Sequence, residues 1–76
     1  MRIRTVKLGE KLRQRRVLLG LLQSQLAALS GVSTRTIQLL EQGKGNPSLD
    51  TLLQLTDPLG LRIDLILKEP SKTGEQ

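Results

Sequence analysis

The chain has 76 residues, a formal net charge of +5, and no Cys, His, Trp, Tyr or Phe. Those facts restrict it to one domain with a small aliphatic core and exclude disulfides and thiolate metal sites. Without His or Cys, and with no phosphate-cradling Gly loop ahead of a helix, neither a catalytic residue, a metal nor a cofactor is expected. No apolar run approaches the roughly 20 residues that span a bilayer, so a cytoplasmic protein without membrane contact is expected.

Charge placement says more than its total. Seven of the twelve basic residues lie before position 17, where Glu10 is the only acid. Such a concentration favours a polyanion, although a solvated helix face has the same composition.

In chain order, residues 1–6 read as a short basic arm. Residues 7–19 predict a helix, with Leu8, Leu12 and Leu19 on one stripe and Gly20 at the stop position. Residues 23–30 predict a second, short helix that ends at Gly31. Ser33 takes the N-cap of a third, running to about Gln42, and residues 43–47 form a loop. Ser48 caps a fourth helix, with Asp50 in its first turn, and Pro58 ends or kinks it near Asp57.

After Gly60 the periodicity changes from helical to alternating. Ile63, Leu65 and Leu67 alternate with Arg62, Asp64 and Lys68, which predicts a strand over residues 61–69, followed by a polar, disordered tail over 70–76. The domain at 7–60 offers this strand no good partner. It would pair with the arm or with its own copy in a second chain, and a two-fold homodimer is the expected outcome. The ribbon would then rest on Leu52, Leu55 and Leu59.

Residues 23–40 read as two helices crossing at a tight turn. Ala27 is small at the crossing, Gly31 permits the left-handed turn, and Leu26, Val32, Ile37 and Leu40 supply a shared core. Arg16 follows Leu12 by four residues and Glu41 follows Ile37 by four, so both charges face inward and need partners. They are expected to satisfy each other as a structural ion pair.

The outer face of the third helix then shows Thr34, Arg35, Gln38, Leu39 and Gln42, the first three at the end that enters a major groove in this motif. Arg grips guanine and Gln grips adenine bidentately, Thr offers a methyl or a hydroxyl, and Leu39 meets either a thymine methyl or neighbouring side chains, so Thr34, Arg35, Gln38 and Leu39 are the candidate base readers. Ordinary solvent exposure is the plain alternative for each. Gln23, Ser24, Ser33, Thr36, Lys44, Asn46 and Arg13 are the candidate phosphate contacts.

From Leu8 to Leu61 the chain resembles the XRE family, the phage-repressor and Cro type of helix-turn-helix domain. The resemblance is carried by the Arg16 and Glu41 positions, Gly20-Leu21, Gln23, Leu26-Ala27, Gly31-Val32-Ser33, Ile37, Leu40-Glu41, Gly43-Lys44, Asn46-Pro47-Ser48 and Leu59-Gly60-Leu61. It implies a mainly α, lambda-repressor-like fold of four helices that binds operator double-stranded DNA as a dimer, to which the ending at residues 59–67 adds a C-terminal β-strand pairing in that dimer. Two positions depart from the family pattern. Leu22 stands where a Ser or Thr cap is usual, with Gln25 where Glu is usual, and Pro58 falls where the helix normally continues.

The ending at residues 59–67 is similar to HipB-like antitoxins. That implies a protein that represses its own operon and neutralises a HipA-type kinase toxin. The alternative is a free-standing repressor of the XRE/Cro type. A protein-interaction domain without DNA activity fits the outward Arg35, Gln38 and Lys44 less well.

Overall fold

The computed structural model describes residues 2–67, with side chains from Val6 onward. Four helices follow one another: α1 (Arg2–Leu18), α2 (Gln23–Ser30), α3 (Thr34–Glu41) and α4 (Leu49–Thr56). Leu12, Leu26, Val32, Ile37, Leu40, Leu55 and Leu59 are buried together, and Leu8, Leu21, Ala27 and Leu61 pack around them. The core is therefore wholly aliphatic.

Helix α1 begins earlier than the sequence pattern suggests. Residues 2–6, expected as an arm, are helical. Neither Gly nor Pro interrupts them, and Val6 lies against Gly43, whose absent β-carbon would sit 2.7 Å from Val6 Cγ2. The helix stops at Leu18, and Leu19 turns outward instead of joining the Leu8–Leu12 stripe. Gly20, at φ +73°, sets this stop: its N–H bonds to the Val17 carbonyl and the Leu21 N–H to that of Arg16. These paired bonds occupy carbonyls that the helix end leaves free, and they turn Leu21 onto the core.

The start of α2 keeps half of a capping box. Leu22 has no side-chain acceptor, yet the Gln25 Oε1 accepts its N–H at 2.8 Å, so the helix begins at Gln23 without a Ser or Thr cap. Gly31 closes α2 in the left-handed conformation, its N–H bonding to the Ala27 carbonyl. Ser33 and Ser48 cap α3 and α4, accepting the N–H of Thr36 and Thr51 at 3.1 Å each. Helix α4 ends at Thr56, as the missing amide of Pro58 requires. A turn over residues 57–60 follows and carries Leu59 into the core at 0 % exposure.

Residues 61–67 form no strand among the described residues. Alternation supplies a pattern of side chains, but a strand also needs a neighbour for its backbone groups, and none of the four helices offers one. Ile63, Leu65 and Leu67 are 40 %, 96 % and 94 % exposed. Leu55 and Leu59, expected beneath a ribbon, are instead buried in the domain's own core, while Leu52 is half-buried. The remainder of the expected strand and the 70–76 tail lie outside the described residues.

Candidate nucleic-acid interface

Helix α3 is placed by one buried carboxylate. Glu41, at its last turn, receives Arg16 of α1 through two bonds: Arg16 Nε to Oε2 at 2.6 Å and Arg16 Nη2 to Oε1 at 2.8 Å. Gln23, the first residue of α2, donates Nε2 to the same Oε1 at 3.0 Å. Arg16 spends a further nitrogen on the Leu21 carbonyl, at 2.7 Å. Both charged side chains are nearly enclosed, at 11 % and 5 % exposure. Burial pushes the Glu41 carboxyl up, but the bonds from Arg16 and Gln23, with the charges of Arg16 and Arg13, outweigh it and hold the group below its ordinary value. Arg16 is correspondingly raised, chiefly by its bond to Glu41 and against the cost of burial. A single acid thus ties the first three helices together.

Gly9, which sequence reasoning passed over, lets α1 come this close. A β-carbon there would fall on the Leu40 carbonyl oxygen and lie 3.0 Å from its carbon. The signal was available: a lone Gly inside a run of helix formers costs about 1 kcal/mol and calls for a packing reason. Arg15 was also passed over. Its Nε donates to the Leu59 carbonyl at 2.7 Å, pinning α1 to the turn after α4.

With Ile37 and Leu40 buried, α3 exposes Arg35 and Gln38, and leaves Thr34 and Leu39 half-buried at their flanks. Leu39 faces a groove of about 280 Å³ shared with Thr36, Lys44, Asn46 and Pro47. That neighbourhood accounts for a leucine on an otherwise polar face. Lys44 and Asn46 stand exposed on the loop beyond α3. Ser24 and Arg13 are also exposed, whereas Gln23 is half-buried and engaged with Glu41. Ser33 and Thr36 share a hydroxyl–hydroxyl bond at 3.0 Å besides the cap, so their oxygens are partly committed to holding the start of α3. Ile63, Leu65 and Leu67, at the other end of the chain, do not approach this face as part of any sheet.

Among the described residues no cluster of metal-ligating side chains exists, and no helix is long and apolar enough to cross a membrane. Two short helices crossing at a tight turn, the second offering polar side chains, are followed in the comparisons with known proteins. The family model described as "Helix-turn-helix" matches residues 12–66. The chain belongs to the XRE/Cro-type helix-turn-helix family. It is a DNA-binding helix-turn-helix domain of the kind found in transcriptional regulators.

An uncharacterized HTH-type transcriptional regulator of Haemophilus influenzae is 46 % identical over 48 residues, covering 63 % of this chain and 49 % of that protein. The HTH-type transcriptional regulator PuuR of Escherichia coli is 36 % identical over 67 residues, covering 88 % and 36 %. The helix-turn-helix chain therefore spans half or less of the length of these two relatives. Among solved structures, the restriction-modification controller protein C.AhdI of Aeromonas hydrophila superimposes with a TM-score of 0.75 at 37 % identity, covering 79 % of this chain and 91 % of that one.

Proposed function

We propose that this chain is a sequence-specific repressor that binds operator DNA as a homodimer, with α3 in the major groove. The carrying observation is the exposed Arg35 and Gln38 on a helix whose far end is fixed by the buried Glu41. A reading helix must be rigid, because bidentate contacts to base edges need placement to a fraction of an ångström. Thr34, Arg35, Gln38 and Leu39 read bases, while Ser24, Ser33, Thr36, Lys44, Asn46 and Arg13 hold phosphates. The second hydrogen on Gln23 Nε2 serves the same backbone, since the first is given to Glu41. The likeness to the transcriptional regulator PuuR and to the controller protein C.AhdI supports a regulatory role, and the residue roles rest on their placement on α3 and its flanks.

The homodimer draws on apolar surface outside the core: Leu49 and Leu53 of α4, with Ile63, are 61 %, 46 % and 40 % exposed. Two copies joined there set their α3 helices about 34 Å apart, one turn of DNA. The narrower antitoxin reading adds a HipA-type kinase toxin held inactive by the same protein. Its support is the sequence at 59–67 and the exposure of Leu65, Ile66 and Leu67, which leaves them open to a partner. Co-expression with a HipA-type kinase separates the two readings: a stable complex favours the antitoxin, free protein the repressor.

The deciding experiment is a titration against operator and scrambled duplexes. Arg35→Ala and Gln38→Ala each lower the preference for operator by about 1–3 kcal/mol, whereas Lys44→Ala weakens both duplexes alike. Equal losses on both duplexes for Arg35→Ala would show that α3 does not read sequence.

A further inference from the structure

A second cationic surface lies on the face of α1 turned away from α3. Gly9 marks the line along which α1 meets α3. At 3.6 residues per turn, Lys7, Lys11, Gln14 and Leu18 fall roughly 140–200° round the helix from it. All four are exposed. They therefore lie on the side of α1 turned away from its contact with α3.

The surface combines positive charge with apolar floor. Lys11, Gln14, Arg15, Leu18 and Leu61 enclose a cleft of about 210 Å³. The bond from Arg15 Nε to the Leu59 carbonyl fixes its guanidinium at the rim. Leu18 is 73 % exposed, and Leu22, just past the turn after α1, is 64 % exposed. No acid occurs between Glu10 and Glu41, and among the described residues neither Lys7 nor Lys11 enters an ion pair.

We propose that this outer face of α1 docks a helix of another protein that carries glutamates or aspartates beside a leucine stripe. Charge complementarity selects the partner's acids, and Leu18 with Leu61 selects its apolar residues. A second DNA duplex matches the lysines but offers nothing to cover the leucines. This face set against its own copy would press like charges together. The proposal is separable from the operator and toxin readings at Lys11, Gln14 and Leu18, which neither reading uses.

The test is a fluorescence-anisotropy titration with a labelled synthetic helix, leucines at i, i+3 and i+7 and glutamates flanking them, against a scramble of the same composition. It is run on the free protein and again on protein saturated with duplex. The expected result is saturable micromolar binding of one helix per chain in both cases, about tenfold weaker for Lys11→Glu and for Leu18→Asp. Both substitutions are at exposed positions, so the far-UV circular dichroism melt should stay as in the parent chain, and duplex affinity should fall by less than in Lys44→Ala. Equal binding of the scramble, unchanged binding by either variant, or no saturation at millimolar peptide would overturn the proposal. So would a loss of duplex affinity in Lys11→Glu as large as that of Lys44→Ala, which would assign this face to nucleic acid.

Discussion

The contact between α1 and α3 and the segment at 61–67 are both rich in apolar residues and both carry an Arg–carboxylate pair, yet they differ in kind. At the first, Arg16 and Glu41 meet through two short bonds in near-complete burial, and Gln23 completes the set. At the second, Arg62 and Asp64 approach only to 3.8 Å and are 89 % and 60 % exposed, in a geometry worth little in water. Leu12, Ile37 and Leu40 sit in a closed core, whereas Leu65, Ile66 and Leu67 face solvent. The difference teaches that residue type sets what a side chain needs, and that its neighbours decide whether the need is met.

The largest effect expected is from Arg16→Ala, which strands the buried Glu41 carboxylate and lowers stability by about 3–5 kcal/mol. Arg16→Met combined with Glu41→Leu should recover much of that loss, as thermal unfolding by far-UV circular dichroism would register. If the single variant melts with the parent, the pair does not hold α1 to α3.

Next comes Gly9→Ala. At an open helix site this change stabilises by about 0.5–1 kcal/mol. Here the new methyl meets the Leu40 backbone, so a destabilisation of about 1–3 kcal/mol is expected from the displacement of α1. A higher melting temperature would mean that the helices do not approach so closely.

Acid should separate the same two regions. The folded Glu41 carboxyl lies below its ordinary value of 4.5, so its contribution is full above that pH and is lost as pH falls through the lower folded value. The parent chain should therefore lose melting temperature below about pH 4.5 more steeply than the Arg16→Met, Glu41→Leu variant. Parallel acid curves for the two proteins would remove Glu41 as the titrating group.

The smallest effect is expected at the chain's far end. Replacing Leu65, Ile66 and Leu67 together by Ser should shift the stability of the isolated domain by no more than about 0.5 kcal/mol. Sedimentation of the same variant at micromolar concentration sharpens the comparison, since a fall in dimer content alone would assign these residues to association. A large drop in stability at a concentration where the chain is monomeric would show that the segment belongs to the domain's own core.

Much of the fold was legible because its signals are local. Ser33 and Ser48 at helix starts, Gly20 and Gly31 at helix stops, and Pro58 after α4 act through bonds within a few residues of themselves. The Arg16–Glu41 meeting was legible too, although 25 positions separate the two, because each charge lies on an apolar stripe and a buried charge needs its opposite. The rest depended on distance. Leu22 departs from the usual cap, and the start of α2 is held instead by the Gln25 side-chain oxygen returning to the Leu22 N–H. Gln23 was read for phosphate alone, since its bond to Glu41 exists only once α2 and α3 have crossed.

The sequence by itself determined four helices, an aliphatic core and an exposed polar row on α3, because periodicity and capping are properties of a chain a few residues at a time. Only the tertiary structure decided that α1 runs from Arg2, that Gly9 is a contact rather than a weakness, and that residues 61–67 remain without a ladder. Each of these depends on what lies across a gap: the Gly43 turn beside Val6, the Leu40 carbonyl above Gly9, and a neighbouring backbone that four helices do not provide. Alternating leucines state a preference for extended chain, and a strand forms only where other backbone groups complete its hydrogen bonds.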